Sequence, residues 1–505
     1  MLRFLCPFIA VIAATAAGAA GELTDGAVSD AVEDRIGQDP AILCEAIDVS
    51  AANGLVTLSG RVDCLPCRQR AGAAAETVRG VRAVINRIQV APPSSRSDES
   101  VLRDVERMLL YDAATAERGI KANITRGVVT LTGTVNTWQE KQLAEAVVSN
   151  ILGLIEVKNA VQLRPQAPRE DDQIEAEIRQ ALRWDVLVDH GLIEANVHKG
   201  LVRLSGVVAS AAEWTRARND ALVAGAEMVD ASALEVQRWT RDKELRRGKH
   251  IGVGAPQLEA AIRDALAKDP RVAPFNVSAE LGDSGLVLRG VVNNILARRS
   301  AEWTVRTVVG AGRVINRLKV RPAEPVEDAV LATNIRQALH RDPYLSALQI
   351  QVTVEGGLAR LTGSADTYFQ KARAEDVVSM ARGIIAVRNQ LEVPPHAGPF
   401  VSNPYIDAGN ALDYAWYDPQ PRLVLRQDDV IRAAIGETMR WCPYVNADAV
   451  QVDMRNGAAT LTGTVGCEAQ KQAAARNAYA GGATWVVNEL KVEVETTRPA
   501  MAEKN

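Results

Sequence analysis

The chain carries one pattern of apolar and polar positions six times over. Each copy begins with apolar residues at every fourth position, as at Val101, Val105 and Leu109, and this spacing predicts an amphipathic helix of about three turns. The spacing then changes to two over residues 120–124 of the same copy. A period of two predicts a half-buried strand, so each copy begins with a helix and continues into a sheet.

A hairpin turn and a second strand follow in each copy. Arg126-Gly127 is typical of a tight turn, because glycine readily takes the positive φ that such turns need. The second strand alternates in polarity and contains one glycine on its apolar face, which we call the marker glycine. We expect a helix to pack so closely over this glycine that a side chain would not fit. The markers are spaced 73, 73, 84, 73 and 100 residues apart and are Gly60, Gly133, Gly206, Gly290, Gly363 and Gly463.

A second helix and a last strand complete the copy. Apolar residues 11, 15 and 18 positions after the marker predict the helix, and glycines such as Gly80 suit the left-handed conformation that follows helices. Variants of V-x-N-x-L-x-V predict the third strand. The predicted fold class is α+β, with six tandem α-β-β-α-β domains. Each is a three-stranded mixed sheet with two helices on one face, because each strand has one apolar side.

The third copy departs from the pattern. Ala226 stands in place of the glycine after the second helix, Asp230 replaces an apolar strand residue, and Ser232 replaces the strand asparagine. We therefore expect an altered turn before its last strand.

The repeat resembles the BON domain, named for bacterial osmotically induced and nodulation proteins. The resemblance rests on the hairpin glycine, on Leu131-Thr132-Gly133-Thr134-Val135 around the marker, on the Gly-Val or Gly-Ile step after helix two, and on strand asparagines Asn86, Asn159, Asn316, Asn389 and Asn488. It covers most of the 505 residues. The predicted segments are a signal peptide at 1–19, repeats at 24–92, 97–165, 170–239, 254–322 and 326–395, a Pro/aromatic linker at 396–425, and a last repeat at 426–494.

The N-terminus has the features of a secretory signal. A basic start at Arg3 precedes an apolar run from Phe4 to Ala17, and Ala17-Gly18-Ala19 fits a cleavage site. The alternative is an uncleaved anchor helix. Cleavage would place the mature chain in the periplasm of a Gram-negative envelope, where disulfides persist.

The cysteines fit an oxidising compartment. Cys442 and Cys467 lie after helix one and after strand two of the sixth repeat, so we expect a disulfide between them. The first repeat has the same arrangement, and we expect Cys44 to pair with Cys64 or Cys67. The alternative is a thiol redox site at Cys64-Leu65-Pro66-Cys67, since a helix N-terminus lowers the pKa of a thiol.

Aromatic residues recur where the first helix ends and just after the marker strand. They either form a surface for a membrane or a partner, or cap the cores of their own domains. The candidates are Tyr111, Trp138, Trp184, Trp214, Tyr368, Phe369 and Trp441. The joint from Thr240 to Gly254 is basic and offers either a second contact for anionic headgroups or a solvated charged linker.

Motifs for catalysis, metal binding and cofactor binding are missing from the sequence. It has no P-loop, no dinucleotide-binding glycine motif, no HExxH and no nucleophile elbow, and its five histidines are scattered. The net charge of −4 argues against a nucleic-acid partner. We therefore expect no catalytic residues, no metal and no cofactor.

The BON resemblance implies a module of the cell envelope associated with phospholipid membranes and osmotic stress. The hypothesis is a non-enzymatic periplasmic protein that binds phospholipid membranes or envelope components and supports envelope integrity. One alternative is a protein-interaction scaffold or chaperone-like binder of exported proteins, in which linked weak sites give avidity. A more remote alternative is the thiol redox protein.

Overall fold

The computed structural model describes residues 24–42, 46–93, 96–164, 169–237, 254–282, 285–311, 313–322, 325–394, 427–442, 445–466 and 468–492. The predicted signal peptide at 1–19 and the predicted linker at 396–425 lie outside these residues, as do Cys44 and Cys467.

Each repeat contributes two helices. The first is 13 or 14 residues long, and the second is 10 to 13. Within the described ranges the α-helices are α1 Asp25–Gly37, α2 Leu65–Glu76, α3 Asp98–Tyr111, α4 Trp138–Ser149, α5 Asp171–Trp184, α6 Ala211–Asp220, α7 Ala255–Lys268, α8 Ile295–Arg306, α9 Asp328–Arg341, α10 Tyr368–Ser379, α11 Asp428–Trp441 and α12 Glu468–Ala480.

Each repeat also builds a small sheet of its own from strands that are short and mostly alternate in burial. The strands are β1 Ala46–Ala52, β2 Leu55–Val62, β3 Ala83–Asn86, β4 Gln89–Val90, β5 Lys121–Thr125, β6 Val128–Thr132, β7 Thr134–Val135, β8 Glu156–Asn159, β9 Gln162–Leu163, β10 Ile193–His198, β11 Leu201–Val208, β12 Met228–Val236, β13 Val277–Gly282, β14 Gly285–Val292, β15 Val314–Asn316, β16 Lys319–Val320, β17 Gln351–Glu355, β18 Leu358–Ser364, β19 Ala386–Glu392, β20 Val450–Arg455, β21 Ala458–Val465, β22 Trp485–Asn488 and β23 Lys491–Val492.

The sheets are mixed, as predicted. In repeat 5, β17 runs antiparallel to β18, and β19 lies parallel on the other side of β18. The second helix makes the crossover that a parallel neighbour requires. In repeats 1, 2, 4 and 6 the third strand is divided into two short pieces, as in β3 and β4.

The helices bury the predicted stripes against one face of each sheet. In repeat 1, Val28 and Val32 of α1 are fully buried, as are Ala71 and Ala75 of α2. A capping residue four positions after the marker starts the second helix. Its side chain accepts a hydrogen bond from the backbone N–H three residues later, as Thr367 does from Gln370. The same cap occurs at Cys64, Thr137, Ser210 and Asn294.

The structural reason for glycine at the marker position differs from the predicted one. All six have a positive φ, between 114° and 137°. A Cβ on Gly206 would lie 2.0 Å from the carbonyl oxygen of Leu192, and one on Gly463 would lie 2.1 Å from that of Ala449. The close neighbour is therefore the backbone just before the first strand, not a crossing helix. The markers allow a bend in strand two that an L side chain would strain.

The strand asparagines join strand three to helix two. Asn159 Nδ2 donates to the carbonyl oxygen of Lys141 at 2.8 Å, and its Oδ1 accepts the N–H of Val161 at 3.3 Å. Equivalent pairs of bonds form at Asn86, Asn316, Asn389 and Asn488. Each asparagine thus satisfies one backbone group of the second helix and one of the third strand or of the interruption within it.

Repeat 3 replaces this connection with another. Its helix side chain Trp214 donates from Nε1 to the carbonyl oxygen of Ala231 at 3.1 Å, so the bond runs from the helix to the strand instead. Gly225, with a φ of 87°, provides the left-handed residue one position earlier than Ala226. The altered turn still leads into a nine-residue strand, β12, with a register shift between Arg203 and Ser205.

Candidate functional site

The hairpin turn of each repeat is held by an aspartate at the start of the first helix. Asp98 accepts the N–H of Arg126 at 2.6 Å through Oδ2 and that of Gly127 at 2.9 Å through Oδ1. Both turn residues have a positive φ, which points their two N–H groups to the same side. The same clamp is formed by Asp25, Asp171, Asp328 and Asp428.

Sequence reasoning missed this clamp, although its signal was present. An aspartate lies 35 residues before the marker in five of the six repeats, and Ala255 stands there in repeat 4. The two backbone donors lower the pKa of Asp171. In repeat 3 the clamp therefore favours the ionised carboxylate of Asp171, and in all five repeats it ties the hairpin end to helix one.

Exposed apolar side chains gather at these hairpin ends. Twelve large apolar residues are exposed in the described part of the chain. Seven of them lie at the first residue of strand two or strand three, at the residue just before strand three, or near the end of strand one beside the turn. Every repeat has at least one. We call this set the hairpin-end surface: Leu55, Ile155, Leu201, Met228, Leu281, Ile385 and Trp485.

Packing over the turn glycine explains part of this exposure. The N–H of Ile155 donates to the carbonyl oxygen of Gly127 at 2.9 Å, and a Cβ on that glycine would lie 2.9 Å from Ile155 Cδ1. Ile385 lies over Gly357 in the same way. The side chain therefore packs over the turn and remains partly exposed to solvent.

Basic residues stand beside these apolar side chains. Arg126 is exposed next to the turn glycine that Ile155 covers, and Lys199 holds the same place in repeat 3. In repeat 6 the exposed Arg455 lies one position earlier, at the end of strand one. Carboxylates also occur there, as at Glu227 and Glu355. The local charge is mixed, so the exposed apolar area is the more distinctive property of the hairpin-end surface.

Five of the seven aromatic residues predicted to form a surface lie in contacts between repeats. Tyr111 Oη donates to the carbonyl oxygen of Val377 in repeat 5 at 3.0 Å, and burial raises the pKa of Tyr111. Trp138 Nε1 donates to the carbonyl oxygen of Ala226 in repeat 3 at 3.0 Å. Trp184 packs against the core of repeat 4 and against a cluster that also includes repeat 6, and Trp441 packs against a core cluster that includes repeat 1.

The fifth is Phe369 of repeat 5, which is buried. Its ring meets Tyr344 edge to face at a centroid distance of 4.8 Å, and the guanidinium of Arg70 from repeat 1 lies 5.5 Å from its centroid. Trp214 stays within its own repeat, and Tyr368 is half-buried at the first position of α10. The structure therefore divides the seven rings among several contacts instead of gathering them on one surface.

A BON domain model matches residues 24–92, 97–165, 170–238, 255–322, 327–395 and 427–494. The chain belongs to the BON domain family. The predicted resemblance and its six tandem copies are confirmed.

This BON protein is similar to two named relatives. Osmotically-inducible protein Y of Escherichia coli is 28% identical over 143 residues, which are 27% of this chain and 71% of that protein. Outer membrane lipoprotein DolP of Haemophilus influenzae is 28% identical over 132 residues, 25% of this chain and 68% of that protein. Among solved structures, the C-terminal domain of CdsD from the Chlamydia trachomatis type III secretion system is 16% identical, covers 41% of this chain and 96% of that chain, and has a TM-score of 0.12, too low to support an argument.

The structure of the BON protein joins Cys64 to Cys67 in a disulfide, with their Cα atoms 5.3 Å apart. This differs from the predicted bond between Cys44 and one of the two. Cys64 caps α2, and its Sγ accepts the N–H of Cys67, so the start of the helix already brings the two side chains together. The bond between Cys442 and Cys467 stays a prediction, because Cys467 lies outside the described residues.

The described residues of the BON protein offer no group of three or more His, Cys, Asp or Glu side chains suited to a metal ion. Within the same ranges, no helix combines the length and apolar character that crossing a bilayer would require.

Proposed function

We propose that this BON protein is a non-enzymatic protein of the cell envelope, and that it binds phospholipid membranes through its hairpin-end surface. The observation that carries the proposal is the recurrence of an exposed large apolar side chain beside the turn in all six repeats. Scattered apolar residues on a protein surface need no explanation, but the concentration of seven of the twelve exposed ones at the hairpin ends does.

The chemistry of the hairpin ends suits a bilayer interface. An apolar side chain that is half-exposed, such as Met228 at 55% or Trp485 at 49%, can enter the headgroup region, while Lys199 or Arg455 stays at phosphate level. Each insertion contributes about 1 kcal/mol, so single ends bind weakly and several together bind measurably. The names of the two relatives, one osmotically inducible and one an outer membrane lipoprotein, support an envelope role.

Vesicle co-sedimentation of the whole chain tests the proposal. Ile155→Ser, Met228→Ser, Ile385→Ser and Trp485→Ser are combined in one variant, and phosphatidylglycerol and phosphatidylcholine vesicles are used in parallel. The control combines Leu110→Ser and Val291→Ser, whose side chains are comparably exposed but lie near the end of α3 and near the end of β14, away from the hairpin turns. We expect the first variant to lose at least tenfold in vesicle partitioning and the control to bind like the native chain.

Two outcomes would contradict this proposal. The first is equal loss in both variants. The second is no vesicle binding by the native chain even at low salt. If such a chain suppressed the aggregation of a denatured exported protein, the chaperone-like alternative would take its place.

The thiol redox alternative gains little support from the disulfide. Cys64 is 6% exposed and Cys67 is fully buried, so an exchanging thiol has poor access to either sulfur. Insulin reduction by the native chain that is lost in Cys67→Ala would be needed to favour it.

A further inference from the structure

One backbone contact recurs between three different pairs of repeats. In repeats 3 and 4, the N–H of Val309 donates to the carbonyl oxygen of Trp184 at 2.8 Å, and the N–H of Val186 donates to that of Thr307 at 2.8 Å. The end of the first helix of one repeat thus pairs with the residues just after the second helix of another. We call this pair of segments the docking edge.

The docking edge recurs in two other pairs. Between repeats 2 and 5, the N–H of Leu152 donates to the carbonyl oxygen of Arg341 at 2.9 Å. Asp112 and Ala381 form the converse bridge, so this pair docks in both directions. Between repeats 1 and 6, the N–H of Arg79 donates to the carbonyl oxygen of Trp441 at 3.0 Å. The order is nested: first with sixth, second with fifth, third with fourth.

An aspartate stands beside the docking edge in repeats 1–5, 21 residues before the marker, and it is buried in repeats 2, 3 and 5 and half-buried in repeats 1 and 4. In repeats 1, 3 and 5 its positive partner is an arginine ten residues after the marker, in the same repeat. Its Nε lies 2.5–2.7 Å from the carboxylate in the pairs Asp39–Arg70, Asp185–Arg216 and Asp342–Arg373. An ionised carboxylate in such a place is stable only when it is paired.

Repeat 2 takes its positive partner from another repeat. Leu143 stands where the arginine would be, and Asp112 is fully buried. Arg271 of repeat 4 supplies the charge instead: its Nη1 donates to Asp112 Oδ1 at 3.1 Å and lies 2.9 Å from Oδ2. The buried carboxylate of Asp112 in repeat 2 therefore takes its positive partner from repeat 4.

We propose that the partner of each docking edge is another BON repeat of the same chain, so that the two halves, repeats 1–3 and repeats 4–6, close on each other as one intramolecular body. In the nested order, successive repeats of the second half pair with those of the first half in reverse sequence. The cross-half contacts include both backbone pairing and the buried Asp112–Arg271 pair, which makes the association specific. This inference does not depend on the membrane-binding proposal.

Cleavage of the folded full-length chain tests it. A recognition sequence for a specific protease is placed between residues 241 and 249, and the protein is cut completely after folding. At about 1 μM chain, where a contact with a micromolar Kd would be half dissociated, we expect the two fragments to elute together from size exclusion with the mass of one chain. Separate elution, aggregation of the fragments or a mass of two chains would overturn the inference.

A charge variant makes the test specific to the proposed contact. In the cleavable protein, Arg271→Met leaves Asp112 buried and unpaired, and we expect the fragments to associate at least tenfold more weakly. Adding Asp112→Asn removes the unpaired charge and keeps the bond from the Ala114 N–H, so association should recover. The control is Arg263→Met, which removes an exposed arginine from α7, the helix that ends just before Arg271. Equal weakening by Arg263→Met, or no weakening by Arg271→Met, would contradict the contact.

Discussion

At the scale of single residues, the aspartate clamp shows how one side chain fixes a turn. Asp98→Ala removes two charge-assisted bonds from the hairpin of repeat 2 and should cost about 1–2 kcal/mol locally. Hydrogen exchange in a peptide covering residues 120–135 should therefore accelerate about tenfold. Glu99→Ala, in the same helical turn and paired with the exposed Arg103 of its own helix, is the control and should leave that peptide unchanged. Acceleration throughout repeat 2 would point to general loosening instead.

A second residue-scale effect is a dependence of stability on pH. Burial raises the pKa of Glu375 to about 7, against the opposing effect of Arg299. The folded chain therefore prefers the protonated acid. That contribution is complete below pH 4.5 and is lost as the pH rises through 7.

Glu375→Gln imitates the protonated form at every pH. We expect the variant to raise the free energy of unfolding by about 1–2 kcal/mol at pH 8 and to change it little at pH 5. Denaturant titrations at the two pH values measure the difference. Glu145→Gln, at the equivalent position of repeat 2, provides the comparison. A gain of equal size at pH 5 would show that the effect is not one of ionisation.

At the scale of elements, the marker glycines should differ in their tolerance of a side chain. Both Gly206 and Gly133 have a positive φ, which costs an alanine about 1 kcal/mol in either place. The added Cβ would lie 2.0 Å from a backbone oxygen at Gly206 but 3.3 Å at Gly133. We expect Gly206→Ala to destabilise repeat 3 by several kcal/mol and Gly133→Ala to destabilise repeat 2 by about 1–2. Hydrogen exchange within each repeat measures this order, and equal effects would contradict it.

The secondary structure followed from local patterns, which is why it could be predicted. Helical stripes such as Val101 and Val105, and the turn at Arg126-Gly127, repeat with their spacing intact in most copies. What was missed depends on contacts across the chain. Trp214 bonds to strand three because Ser232 stands where the other repeats have an asparagine. Glycine is needed at Gly206 because the Leu192 carbonyl lies close to it. Neither leaves a periodic signal.

At the scale of the whole molecule, the sequence showed six modules but not their mutual packing. The docking edge consists of backbone groups, which every residue except proline offers, so composition carries no trace of it. The aromatic residues were visible, yet their chemistry suits a membrane interface and a domain contact equally well. The clearest sequence sign was Leu143 in place of an arginine, and it acquires meaning only once Asp112 is known to be buried.

Nested pairing also predicts that a substitution in repeat 6 increases hydrogen exchange in repeat 1. Trp441 packs against a core cluster that includes repeat 1, and its carbonyl accepts the Arg79 N–H, so Trp441→Ala should loosen the end of helix two in repeat 1. We expect faster hydrogen exchange around residue 79, more than 350 positions away in the chain. Trp485→Ala removes an equally large ring from the same repeat, but this ring is 49% exposed at a hairpin end, and exchange at residue 79 should not change. Six modules moving independently would instead confine the effect of either substitution to repeat 6, because a linker alone transmits no loss of packing.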